Sequence, residues 1–276
     1  MAQSSPKIDK TQVALIDHML EYRQYRPLLT YLKEKTALKE PYLLHSIQLA
    51  QAFIDVNIRE IEHLAPKVER HYLLKPTFLE RRAYSYSHYM NIQFERREYM
   101  DYFRALSPLL VDLLRLIIEH DFMPELNEYI EPIVKENAEG KPIYRGLQWK
   151  QSVIESKKNM VFETFNKYYG DRFNYKHYVS SSHLLKLIDD HSKNDEVRAK
   201  SVSLRHIEKY VRNIVAHEVI YVSDELVERR TGMSMKQIHR LLQEALLLAD
   251  LNDKRQWAIL NELNKAIKNN IQDIMN

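Results

Sequence analysis

Residues 77–120 read TFLERRAYSYSHYMNIQFERREYMDYFRALSPLLVDLLRLIIEH. The run is amphipathic throughout and far longer than any ordinary strand. Its single proline, at Ser107–Pro108, is expected to divide it into two helices, because proline cannot donate to the helical ladder. Working toward the start of the chain, Val13, Ile16 and Leu20 follow helical spacing in a segment from Ile8 to Tyr25 that Pro27 closes. The segments PLLTYLKEK (27–35) and PYLLHSIQLAQAFIDVNIREIEHL (41–64) each open on a proline suited to a first helical turn. To about residue 133 the pattern is a bundle of roughly six helices.

Working toward the end of the chain, KENAEGKPIYRG (135–146) gathers two of the four glycines and a proline, so it reads as a linker and a domain boundary. A second helical set follows. It comprises Leu147–Tyr168 ended by Gly170, Ser182–His191 with serines placed to cap its start, and Ser203 to about Tyr221. Then come Asp224–Arg230 stopped at Gly232, Ser234–Ala249, and a last helix from Lys254. The expected fold class is all-α. Strands alternating with helices and a glycine-rich turn, which an α/β nucleotide domain needs, are missing.

Composition narrows the function. The chain has 276 residues, 45% of them hydrophobic, which is enough for one large or two ordinary domains. It has no cysteine, which excludes disulfides, a thiolate zinc site and a cysteine nucleophile, and fits the cytosol. No apolar stretch reaches membrane-spanning length, and the first ten residues lack the apolar core of a secretory signal, so no membrane is expected. Lys and Arg number 41 against 38 Asp and Glu, so any nucleic-acid site must be local.

One local grouping stands out in KYVRNIVAHEVIYV (209–222). At about 100° per residue, Leu204, Ile207, Val211, Ile214, Val215 and Val222 share one stripe, while Arg212, Asn213, Ala216 and His217 fall on the opposite side. Arg212 and His217 lie about 140° apart around the axis. One helix cannot easily aim both at a single atom, but two copies about a two-fold axis can bring both pairs into a shared cleft. Histidine exchanges protons near neutral pH, and arginine holds a phosphate and the charge that builds on it. RNA cleavage at a 2′-hydroxyl fits these groups without a metal. The plainer reading is an exposed Arg and His on a solvated face, with Glu208 and Arg212 as an i,i+4 surface pair.

The spacing Arg212-x-x-x-x-His217, with Asn213 directly after the arginine, resembles the R-x-x-x-x-H motif of HEPN ribonucleases. Around it, YVSSSHLLKLIDDHS and LRHIEKYVRNIVAHEVIYVSDELVERRTGMSMKQIHRLLQEAL resemble the C-terminal half of the ancillary ribonuclease of type III-A CRISPR systems, the Csm-family HEPN nuclease. YMDYFRALSPLLVDLLRLII resembles that family's preceding six-helix domain, and the likeness extends from about residue 30 to residue 250. It implies residues 1–136 as a six-helix linker-type domain and residues 137–276 as a HEPN ribonuclease domain. The implied activity is metal-independent endonucleolytic cleavage of single-stranded RNA at a site assembled from a homodimer, leaving a 2′,3′-cyclic phosphate. Arg212 and His217 carry over as the catalytic pair and Asn213 as their helper. Full-length members begin with a CARF sensor that binds cyclic oligoadenylate. No such domain is read in this sequence, so that activator is not expected to bind in the usual way, and no cofactor is called for.

The sequence carries other signals. ERRAYSYSHYMNIQFERREYMDYFR (80–104) mixes arginines with tyrosines, but Glu80, Glu95 and Glu98 interleave as on a solvated face. VSDELVERRTGMSMKQIHRLL (222–242) imitates a helix-turn-helix that would offer Lys236, Gln237 and Arg240 to DNA. A non-catalytic DNA-binding or protein-interaction module is therefore the alternative reading. His88, His120, His183, His191 and His239 lack the paired spacing of a zinc helix, and SSSH (180–183) is explained by capping.

Overall fold

The structure is a computed structural model that describes residues 9–35, 40–212, 215, 218 and 220–275. Among these it is almost wholly helical, with one two-stranded sheet. The helices are α1 (Lys10–Glu21), α2 (Tyr25–Lys35), α3 (Pro41–Ile54), α4 (Ile58–Leu64), α5 (Phe78–Glu95), α6 (Tyr99–Asp121), α7 (Gln151–Lys157), α8 (Met160–Tyr169), α9 (Ser181–His191), α10 (Asp195–Ile207), α11 (Asp224–Thr231), α12 (Met235–Leu248) and α13 (Ile259–Met275). Strands β1 (Ile130–Glu136) and β2 (Pro142–Trp149) pair antiparallel. The expected all-α class holds. Among the described residues no helix is long and apolar enough to cross a membrane.

By packing, the chain divides into two units, residues 1–92 with 253–276, and residues 93–252. The boundary expected at residue 136 falls inside the second, and the first is completed by the far end of the chain. In the first unit α3 packs against α2, α4 and α13 and buries Leu43, Ile47, Leu49, Ala50 and Phe53. Its start is fixed by Pro41 in the first turn and by the Glu40 carboxylate, which accepts from the Tyr42 and Leu43 backbone N–H groups at 3.0 and 2.5 Å. The return of the chain is pinned by buried polar groups. Tyr25 donates to Asn264 (2.8 Å), and the Asp253 carboxylate accepts from the Trp257 N–H (2.8 Å), 3.6 Å from the buried His88 ring.

The second unit is built on α6. The expected break at Ser107–Pro108 does not occur: Pro108 lies inside α6, and the chain turns instead at residues 96–98. A proline in a helix interior costs about 3 kcal/mol. Leu109, Leu110, Leu113, Leu114, Leu116, Ile117 and Ile118 are all buried on the helix that continues past it. At about 1.5–3 kcal/mol for each such side chain, burial outweighs the proline. The turn at 96–98 has its own device: Arg97 adopts φ 58°, and the Glu98 N–H reaches back to the Gln93 carbonyl at 2.9 Å.

The expected linker at 135–146 is the hairpin. Asn137 closes its turn by accepting from the Glu139 and Lys141 N–H groups at 3.0 and 2.8 Å, and Gly140 supplies a φ of 73°. The register shifts between Ile133 and Val134, opposite Gly146, where a Cβ would come within 2.9 Å of the Tyr178 ring. Because β2 extends to Trp149 and Lys158 turns left-handed (φ 43°), the single helix expected over Leu147–Tyr168 is a strand end followed by α7 and α8.

Candidate active site

The site is reached through α10. That helix starts at Asp195, eight residues earlier than expected, because the Asn194 side chain caps it by accepting from the Glu196 and Val197 N–H groups at 3.0 and 3.3 Å. It carries Leu204 and Ile207 into the core and then, at Glu208–Arg212, changes to a π-helical turn. Such i→i+5 turns are rare inside helices and occur frequently at functional sites. Ile207, Val211 and Val215 stay buried at a regular spacing of four. Of the helix expected from Ser203 to Tyr221, the described residues show the end of α10, the π turn to Arg212 and, from Ile220, irregular chain leading to α11; residues 213, 214, 216, 217 and 219 lie outside the described residues.

Arg212 is the last residue of the π turn. Its side chain, together with Asn213 and His217, lies outside the described residues. What the structure does define is the turn that leads to Arg212. Glu208 is only 7% exposed, and its carboxylate accepts from Ser107 on α6, from Ser181 at the start of α9 (2.5 Å) and from Arg205 on α10 (3.1 Å). The surface role read for Glu208 does not hold: three helices converge on this carboxylate. On the other side, Arg230 of α11 donates to the Tyr210 carbonyl at 3.1 Å. A π turn disturbs the regular ladder, and an outside donor offsets a carbonyl it would leave open.

The outer surface of the turn is polar and aromatic. His206 and Tyr210 lie with ring centroids 4.5 Å apart, the Lys209 ammonium stands 5.1 Å from the Tyr210 ring, and Tyr221 is 87% exposed. The turn that ends at Arg212 thus has buried hydrogen bonds at Glu208 and carries an exposed cation and ring faces on residues 206–210. This is a suitable setting for a phosphodiester. Among the described residues no set of three His, Cys, Asp or Glu side chains converges as metal ligands would.

The remaining sequence candidates have structural duties. His183 accepts the Trp149 indole N–H on Nδ1 (3.0 Å), which leaves Nε2 as its protonated nitrogen, and burial holds its pKa down to about 4. Ser180 caps α9 as expected, accepting from the His183 N–H (3.3 Å). In the helix-turn-helix outline formed by α11 and α12, Gln237 closes a capping box with Ser234 and Arg240 pairs with Glu244 (3.0 Å). Two of the three side chains available to DNA are therefore already engaged. Sequence reading missed Glu208, Arg230 and the π turn. A carboxylate four residues before Arg212 was visible, but its partners at 107, 181 and 205 come mostly from other helices.

The Cas_Csm6 HEPN domain model matches residues 72–268 of this sequence. The chain belongs to that family. Enterococcus italicus Csm6 bound to cyclic hexa-2′-fluoro-hexa-dAMP is similar in structure, with a TM-score of 0.61 and 12% identity over 93% of this chain. At that identity the likeness is one of fold, and the chain spans 56% of the length of the Enterococcus protein. No curated protein sequence matches. Membership in the Csm6 HEPN family agrees with the helical fold described above and with the resemblance read around Arg212 and His217.

Proposed function

We propose that this chain is a CRISPR-associated HEPN endoribonuclease that cleaves single-stranded RNA without a metal. In this reading Arg212 binds the scissile phosphate and stabilises its developing negative charge. His217 moves a proton at the attacking 2′-hydroxyl or the leaving 5′-oxygen, and Asn213 orients the phosphate or the imidazole. The bond formed joins the 2′-oxygen to phosphorus and the bond broken is to the 5′-oxygen, leaving a 2′,3′-cyclic phosphate and a 5′-hydroxyl. The cleft is assembled from two copies of the chain, each supplying one Arg–His pair.

One observation carries the reading. The π turn that ends at Arg212 is clamped by the buried Glu208 carboxylate within the segment that matches the HEPN family model. A merely solvated helix face has no use for such a clamp.

The test is cleavage of a fluorescently labelled single-stranded RNA in EDTA. The wild-type chain should cut it, while Arg212→Ala and His217→Ala should each lose at least about 100-fold, the scale of a lost general acid–base or charge-stabilising group. Activity that EDTA abolishes, or that survives both substitutions, contradicts the assignment.

A further inference from the structure

Ahead of α9 the chain reads RFNYKHY (172–178), in which cationic and aromatic side chains interleave. The first part of this segment borders a cleft of about 480 Å³ between α7, α8 and the loop after α8. Phe165, buried in α8, stacks on Phe173 with ring centroids 4.1 Å apart, and Tyr175 meets Phe173 edge to face at 4.9 Å. These rings make a rigid aromatic floor. The loop is held in shape by Asn174, whose side chain accepts from the Lys176 N–H (3.0 Å) and whose carbonyl accepts from the His177 N–H (3.0 Å). Arg172 and Lys176 are exposed at the rim and have no ion-pair partner among the described residues. Farther along, an edge of the Tyr178 ring meets Gly146 and the residue remains 57% exposed, leaving ring surface open to solvent.

The chemistry of this lining selects among ligands. Glu155 and Asp171 also line the cleft, so two carboxylates balance its two cations and a lone phosphate gains little there. Stacking rings, a pair of rim cations and the amides of Asn166 and Asn174 together fit a nucleotide chain, whose bases stack and whose backbone runs past the cations. Position adds to this. Lys176 stands five residues before Ser181, so the two are at most about 18 Å apart. Ser181 in turn donates to Glu208 at the base of the π turn. The 172–178 segment is therefore joined, through Ser181, to the base of the π turn that ends at Arg212.

We infer that the cleft and the Arg172–Tyr178 segment form a binding tract for single-stranded RNA that holds the substrate outside the cleavage point. The inference rests on the ribonuclease reading for its choice of ligand, but not for its test. The full chain is titrated with a labelled 2′-O-methyl oligoribonucleotide of about twelve residues, which lacks the attacking hydroxyl, and binding is followed by fluorescence anisotropy. Arg172→Ala with Lys176→Ala should weaken binding about tenfold and make the log–log salt dependence shallower by about 1.4, or 0.7 for each lost phosphate contact on a single strand. Tyr175→Ala should weaken binding about tenfold with the salt slope unchanged. Inorganic phosphate at constant ionic strength should not displace the oligonucleotide. Unchanged affinity in all these variants, or displacement by phosphate, overturns the proposal. Thermal melting of each variant confirms that it is folded. No turnover is read in these titrations, so they stand whatever Arg212→Ala and His217→Ala do to cleavage.

Discussion

Glu208 and the buried histidines show how single residues set the limits of this molecule. Glu208 draws three donors from three helices to the start of the π turn, and so the turn that ends at Arg212 is tied to residues 107 and 181 as well as to its own helix. His88, His183 and His239 are each held down to about 4 by burial, against an ordinary value of 6.5. In each case the folded state refuses a proton that the unfolded chain accepts once the pH drops below 6.5. The stability they allow is therefore complete above about pH 6.5 and is lost progressively as the pH falls toward 4. At about 1.4 kcal/mol per pH unit, each can withdraw up to roughly 3 kcal/mol, a large share of a typical folding free energy. Urea midpoints should be level near pH 7–8 and fall steadily below 6.5. A midpoint that does not move between pH 6.5 and 4.5 contradicts the neutral, buried assignment. At this scale the Arg212–His217 spacing was legible, since it lies within a short stretch. The duty of Glu208 was not, because periodicity places a residue on its own helix and says nothing of donors a hundred positions away.

Among the elements, the helices were more legible than their ends. With 4 glycines in 276 residues the usual helix-stop signal is nearly missing from the sequence. The chain turns instead on non-glycine residues in left-handed conformations, among them Arg23, Val56, Glu69, Arg97, Lys158 and Asp250. In most of these the following N–H reaches back to close the helix, as Asn57 does to Ala52 (2.9 Å) and Glu98 to Gln93 (2.9 Å). Such ends follow from closing hydrogen bonds and packing, which no local composition reveals. The Pro108 signal misled for the converse reason: a strong local breaker was outweighed by the apolar stripe beyond it. The left-handed positions carry a cost of about 1 kcal/mol each for a residue with a Cβ. Arg97 is exposed, so Arg97→Gly should stabilise the chain by about 0.5–1 kcal/mol in urea unfolding. A loss of stability would mean that the Arg97 side chain does work its exposure hides. The hairpin escaped notice because its glycines and proline, which look like a flexible joint, are the residues a turn and a bulge require.

Across the whole molecule, the last helix belongs to the first unit, so a chain that reads as two consecutive halves has one unit assembled from both ends of the sequence and the other from its middle. Order along the sequence cannot show such a return. Family membership, by contrast, was legible from the text around residues 178–246 together with 99–118. The proposed cleft asks for a second molecule, since each copy contributes one Arg–His pair. Subunit mixing tests this most directly. Wild-type chains are allowed to exchange with His217→Ala chains in equal amounts, and cleavage of labelled single-stranded RNA is compared with that of wild type alone. If a mixed dimer is inactive, roughly one quarter of the activity remains, because only that share of random pairs is wholly wild type. Retention of about one half, the result of simple dilution, would contradict a site shared between two copies.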